Sequence, residues 1–125
     1  MLLDVQIILT PIEDLVIFRP TPIRDEQGYF SRTLDIQILA EAGIDPVSFK
    51  QENQSRSYQG VRRLHGRSGP GEAKLVRSAN GAVLDVVVDA RPRSATFGQV
   101  MTFLLDDEVC TQVYIPRGFL QGFRH

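Results

Sequence analysis

His65 closes the stretch Val61-Arg62-Arg63-Leu64-His65, and Lys74 follows nine residues later. An imidazole titrates near neutrality and can take a proton there. An ammonium nearby can hold the oxyanion that develops when a carbon acid beside a carbonyl loses its proton, and such charge stabilisation dominates reactions of this kind. Arg62 and Arg63 add fixed positive charge suited to an anionic ligand. Strand alternation groups Val61, Arg63 and His65 on one face and Arg62 with Leu64 on the other. A hairpin would fold Lys74 back beside His65. The same residues equally suit a hydrogen-bonded structural role, and spacing alone leaves both readings open.

The elements that must position these groups are short and numerous. Ten Gly and seven Pro break the chain into runs rich in Val, Ile, Phe, Tyr and Thr, the rhythm of a sandwich or barrel. It predicts strands at Val5–Leu9, Val16–Pro20, Gly28–Thr33, Val47–Ser55, Val61–His65, Ala73–Arg77, Ala82–Asp89, Val100–Leu105 and Gln112–Ile115, with a further strand beginning near Phe119. Asn80-Gly81 has the composition of a tight hairpin turn, and Ser68-Gly69-Pro70-Gly71 that of a loop. A single helix is expected over Leu34–Ala42, stopped by Gly43. The fold class is all-β with one short helix. Phe18, Tyr29, Phe30, Phe97, Phe103, Phe119 and Phe123 are spaced as core residues.

Composition narrows the function classes. A chain of 125 residues, 42% hydrophobic and 23% charged, makes one domain with a packed core. Fifteen acidic side chains against fourteen basic ones leave a net charge of -1, which argues against nucleic acid or an anionic membrane as partner. The longest apolar run, Val83 to Val88, is interrupted by Asp85, and the segment Met1 to Leu9 has no basic leader, so neither a membrane span nor a secretory signal is expected. Cys110 is the one cysteine; it fits a reducing cytoplasm and reads as a small buried hydrophobe. No phosphate-binding loop occurs, Asn53-Gln54-Ser55-Arg56-Ser57 lacks the setting of a nucleophile, and Asp106-Asp107-Glu108 reads as a solvated turn.

A metal-binding double-stranded β-helix would need a His where Gln121 stands, after Pro116-Arg117-Gly118, and another at Arg67. A guanidinium repels a divalent cation, so these residues argue against a metal.

Several motifs occur in a fixed order: Phe49-Lys50-Gln51-Glu52-Asn53-Gln54-Ser55-Arg56-Ser57, Gly60-Val61-Arg62, Leu64-His65, Ala73-Lys74-Leu75-Val76-Arg77, Gly81 through Arg91, Ser94-Ala95-Thr96-Phe97-Gly98, Tyr114-Ile115-Pro116 and Gly118-Phe119. From about Thr10 to its last residue the chain resembles the dTDP-4-dehydrorhamnose 3,5-epimerases of deoxysugar biosynthesis. The resemblance implies a cupin-type double-stranded β-helix or jelly-roll barrel. It implies a homodimer with an exchanged N-terminal strand, a dTDP-linked 4-keto-6-deoxysugar as substrate, and neither metal nor nicotinamide cofactor. It assigns His65 as the base, Arg62 and Lys74 to the diphosphate and the enolate oxygen, and Gln51 and Asn53 to the sugar pocket.

The chain departs from that pattern at several positions. Gln27 stands where the family's Asp-x-Arg-Gly-Phe-Phe carries an Arg that reaches nucleotide on the partner subunit. Gln121 replaces the His of Gly-Phe-Ala-His-Gly-Phe. Both remain substrate-binding candidates, although an amide that can hydrogen-bond a sugar cannot shuttle a proton. Arg63 replaces a Gly, and Arg32 an acidic residue. The family continues through further strands that supply a proton-returning Tyr and an Asp orienting the base. Tyr29, Tyr58 and Tyr114 do not match that Tyr, so the single domain 1–125 is expected to be incomplete at its C-terminus. Three functions stay open: epimerisation at carbon 3, carbon 5 or both; sugar-nucleotide binding without catalysis; and a metal-dependent cupin reaction.

Overall fold

Runs of Val, Ile and Phe between the Gly and Pro turns form antiparallel strands. The computed structural model describes residues 4–56, 61–65 and 71–124, with side chains for all of these but 61–65. Its elements are β1 (Val5–Leu9), β2 (Val16–Pro20), β3 (Ile23–Asp25), β4 (Gly28–Phe30), α1 (Ile36–Glu41), β5 (Val61–His65), β6 (Lys74–Val76), β7 (Ala82–Asp89), β8 (Val100–Asp106), β9 (Gln112–Ile115) and β10 (Phe119–Arg124). One four-stranded sheet has the order β1-β2-β9-β6, a second β5-β10-β7-β8, and β3 with β4 forms a separate hairpin.

The two larger sheets close on one apolar core. Val87, Phe103, Leu105 and Phe119 of the second sheet meet Val113 and Ile115 of the first, and Ile12 and Leu15 cap the cluster. Val16 and Phe18 use the opposite face of the first sheet to bury Leu39 of α1 and Ile44. Because Ile17 packs into the core between the sheets, the unbroken run Val16-Ile17-Phe18 is covered on both sides, as such runs require. The outer face of the second sheet stays open, with Leu84, Val100 and Leu104 exposed. Two facing antiparallel sheets with a short helix on one side make the cupin-type jelly roll implied by the sequence.

Asp35 starts α1 by accepting hydrogen bonds from the Gln37 and Ile38 amides at 2.9 and 3.2 Å, an N-cap that satisfies donors the helix leaves free. The strand expected at Val47–Ser55 does not form. Asp45 accepts from the Val47 amide at 3.0 Å and Pro46 begins a 3-10 turn, Pro46–Ser48. Proline's fixed φ and missing N–H favour that turn over a ladder. Strand β3 was not foreseen, and β4 ends at Phe30 because its three-residue partner ends there.

Asn80-Gly81 is a corner rather than a hairpin. Gly81 has a φ of +78°, but β6 and β7 belong to different sheets, so the turn carries the chain from one layer to the other. Phe18, Phe103 and Phe119 enter the core, whereas Tyr29, Phe30 and Phe97 are exposed. Cys110 is half-buried in the turn before β9, with a φ of +62°, and is not a core hydrophobe. The loop expected around Ser68-Gly69-Pro70 lies outside the described residues, as do Ser57, Tyr58, Arg67 and His125.

Candidate functional site

Strand β7 points Asp85, Val87 and Asp89 inward, and all three are buried. Two carboxylates thus share the core face of one strand, and their surroundings give them opposite properties.

Asp89, 0% exposed, accepts five hydrogen bonds: from the Arg91 amide (3.1 Å), Arg91 Nε and Nη2 (both 2.9 Å), Ser94 Oγ (2.6 Å) and Thr96 Oγ1 (2.6 Å). Burial alone would raise its pKa, but the guanidinium and hydroxyl donors outweigh burial and hold the carboxyl below the usual carboxylate range. Arg91 continues to Asp14 Oδ2 at 2.9 Å and the Glu13 carbonyl at 2.7 Å. The cluster therefore ties the loop after β1 to the loop after β7. These bonds make the cluster a structural lock.

Asp85 is 1% exposed and among the described residues receives the side-chain amide of Gln121, whose Nε2 lies 3.0 and 3.2 Å from its two oxygens. Phe103 of β8 and Phe123 of β10 are its register partners. Burial pushes the Asp85 pKa up to about 6, against the opposing pull of the Gln121 hydrogen bond and the positive charge of Lys74. A buried carboxyl that titrates near neutrality next to a cation is the kind of group that marks a functional site.

The sequence candidates distribute around this pair. Lys74 opens β6 in the first sheet, not in a hairpin with β5 as spacing had indicated. It acts on Asp85 from the facing layer instead. Gln121 pairs in register with Val87 on one side and with His65 on the other. A bulge between Gln121 and Phe123 then sets Arg62 opposite Phe123. Positions 65 and 62 consequently oppose two residues of one β10 face, where plain alternation would separate them. The side chains of Arg62, Arg63 and His65 lie outside the described residues.

The remaining candidates are not part of this convergence. Gln51 and Asn53 are exposed on the irregular segment leading towards β5. Gln27 forms the tip of the β3–β4 hairpin, its amide bonded to Asp25 Oδ1 at 2.8 Å. That hairpin docks on the β8–β9 turn, where the Tyr29 hydroxyl donates to the Asp107 carbonyl at 2.8 Å. Among the described residues no three His, Cys, Asp or Glu side chains converge as a ligand set for a metal. No helix of the described residues is long and apolar enough to cross a membrane.

Sequence reasoning passed over Asp85, noting it only as a break in an apolar run. The signal was its phase: in a strand it falls two residues from Val87 and four from Asp89, on the side that must be buried.

A family model described as dTDP-4-dehydrorhamnose 3,5-epimerase matches residues 9–125. The dTDP-4-dehydrorhamnose 3,5-epimerase of Escherichia coli K12 is 41% identical over 119 residues, covering 94% of this chain and 64% of the relative. The Pseudomonas aeruginosa enzyme of the same name is 42% identical over 113 residues, covering 90% and 62%. This chain thus spans less than two thirds of the length of these curated relatives. Among solved structures, dTDP-6-deoxy-D-glucose-3,5-epimerase of Legionella pneumophila, in complex with dTDP-4-keto-L-rhamnose, superposes with a TM-score of 0.87 at 40% identity, covering 97% of this chain and 65% of the other. The dTDP-4-dehydrorhamnose 3,5-epimerase of Elizabethkingia anophelis gives a TM-score of 0.84 at 38% identity, covering 96% and 67%.

Proposed function

The chain belongs to the dTDP-4-dehydrorhamnose 3,5-epimerase family, and on that premise we propose that it epimerises a dTDP-4-keto-6-deoxyhexose at carbon 3, carbon 5 or both. His65 removes the proton beside the 4-keto group, and the C–H electron pair moves into an enolate whose oxygen Lys74 stabilises. Reprotonation at the same carbon completes the exchange. Arg62 binds the diphosphate, Gln51, Asn53 and Gln121 line the sugar, and Gln27 reaches the nucleotide. The protein acts as a cytoplasmic homodimer with exchanged N-terminal strands. β1 pairs with β2 of its own chain along its whole length, and its other side is an open sheet edge among the described residues, which supports association with a second copy there.

The observation that carries this reading is the convergence of Lys74 and Gln121 on Asp85, with Gln121 in register with His65. Proton NMR in heavy water with dTDP-4-keto-6-deoxyglucose tests it. Deuterium uptake at carbon 3 or 5 that disappears in His65→Ala is expected. Substrate binding by calorimetry without uptake would overturn catalysis and leave the second reading, a sugar-nucleotide-binding relative. That reading is favoured by one feature, an amide at position 121 that cannot move a proton.

A further inference from the structure

The β3–β4 hairpin has three residues in each strand and, among the described residues, pairs with neither larger sheet. Two strands that short do not hold themselves in place in water, so side chains must fix where the hairpin sits. In its register Arg24 lies opposite Tyr29, with the guanidinium 5.0 Å from the ring centroid. Both reach the β8–β9 turn: Arg24 Nη2 donates to the Glu108 carbonyl, and the Tyr29 hydroxyl to the Asp107 carbonyl at 2.8 Å. That turn is itself braced. Asp106 Oδ1 accepts from the Glu108 and Val109 amides at 3.1 and 2.7 Å, and Asp107 Oδ2 from the Gly81 amide at 2.9 Å. Ile23 and Phe30 make the pair on the other face of the hairpin, where Phe30 is exposed, as is Gln27 at the tip.

Resting on the sugar-nucleotide reading above, we propose that Arg24 and Tyr29 are positioning residues that latch the β3–β4 hairpin to the β8–β9 turn and so set the reach of Gln27 to the nucleotide. Two backbone carbonyls and one cation–π pair make the latch, and through it the tip follows the braced turn instead of swinging freely. Cys110 reports on the latch. Its Sγ donates to the same Asp107 carbonyl at 3.5 Å, and the thiol raises the pKa of the Tyr29 hydroxyl beside it.

Calorimetric titration of the full chain with dTDP, together with the rate at which an aromatic disulfide labels Cys110, tests the proposal. Tyr29→Phe removes one oxygen and keeps the ring, whereas Arg24→Ala removes its hydrogen bond and the cation–π pair. In each variant labelling is expected to quicken about threefold or more, and dTDP affinity to fall about three- to tenfold. In a Gln27→Ala background Arg24→Ala costs less than about twofold further, because the latch acts through the tip. Unchanged dTDP affinity, weaker binding with unchanged labelling, or losses that multiply in full with Gln27→Ala overturns the proposal and leaves the sugar-nucleotide reading standing. Failure of the wild type to bind dTDP overturns both. Should Arg24→Ala not fold, Tyr29→Phe and its combination with Gln27→Ala decide the matter.

Discussion

Arg91 occupies the space that a side chain at residue 118 would need: a Cβ built on Gly118 falls 2.6 Å from Arg91 Cγ. Gly118 has a φ of +85°, in the left-handed region that glycine enters freely. Its carbonyl accepts from the Ala90 amide at 3.1 Å, and the guanidinium lies 4.8 Å from the centroid of the Phe119 ring. The loop after β7 and the turn before β10 are therefore packed as one unit, three residues from Gln121.

Gly118→Ala is expected to lose stability twice over, about 1–2 kcal/mol from the left-handed backbone and a further part from displacing Arg91. The second part vanishes once Arg91 is gone. A double-mutant cycle with Arg91→Ala, read by urea unfolding, should give a coupling of about 1 kcal/mol or more, with Gly118→Ala milder in the Arg91→Ala background. Effects that simply add would show that the contact carries no energy.

Asp89→Asn leaves the Arg91 guanidinium without its buried counter-charge, and the expected loss is about 3–5 kcal/mol. The folded pKa of Asp89 is depressed, so its contribution is present above the unfolded carboxyl value and is lost as pH falls towards the folded one. Asp85→Asn at neutral pH should be neutral or stabilising, because it removes a charge whose burial outweighs the pull of Gln121 and Lys74. Thermal melts of the two variants should rank in that order; a reversed ranking would refute the contrast between the two sites.

Most strands were legible because their residues obey one period. Val5–Leu9, Val16–Pro20, Ala82–Asp89 and Gln112–Ile115 form where expected, each an alternating or continuous apolar run. What sequence did not show was which sheet each strand joins. Lys74 was expected beside His65 through a hairpin, but β5 and β6 lie in different sheets, and local spacing does not distinguish a crossing between layers from a hairpin. Val47–Ser55 failed because Asp45-Pro46 satisfies its own backbone in a 3-10 turn. At the site, Lys74 and Gln121 were legible by type and motif. Asp85 was not, since its role depends on which neighbours fill the core around it.

The raised pKa of Asp85 fixes the sign of a stability change with pH. Folding shifts this carboxyl from 3.8 to about 6, so between those values the native state binds more protons than the unfolded chain. Stability then falls as pH rises through the window and levels off above it, by up to about 3 kcal/mol. Urea unfolding of wild type and Asp85→Asn across pH 4 to 7 should give curves whose difference follows this slope. A constant difference would mean that Asp85 titrates normally.

Gln121→His replaces a neutral donor with one that can carry charge. Beside Asp85 the imidazolium raises its own pKa and lowers that of the carboxyl. The two contributions run oppositely: relative to wild type the acid's share is fully present above about 6 and lost as pH falls towards its lowered pKa, and the imidazolium's is lost as pH climbs through its raised one. The stability difference from wild type should therefore peak between them rather than slope one way. The same variant separates the two functional readings, because an imidazole can return a proton where an amide cannot. Deuterium uptake in wild type, with only its pH profile altered in Gln121→His, supports an active epimerase. Uptake absent in wild type and gained in Gln121→His would identify Gln121 as the residue that makes this chain a binding protein.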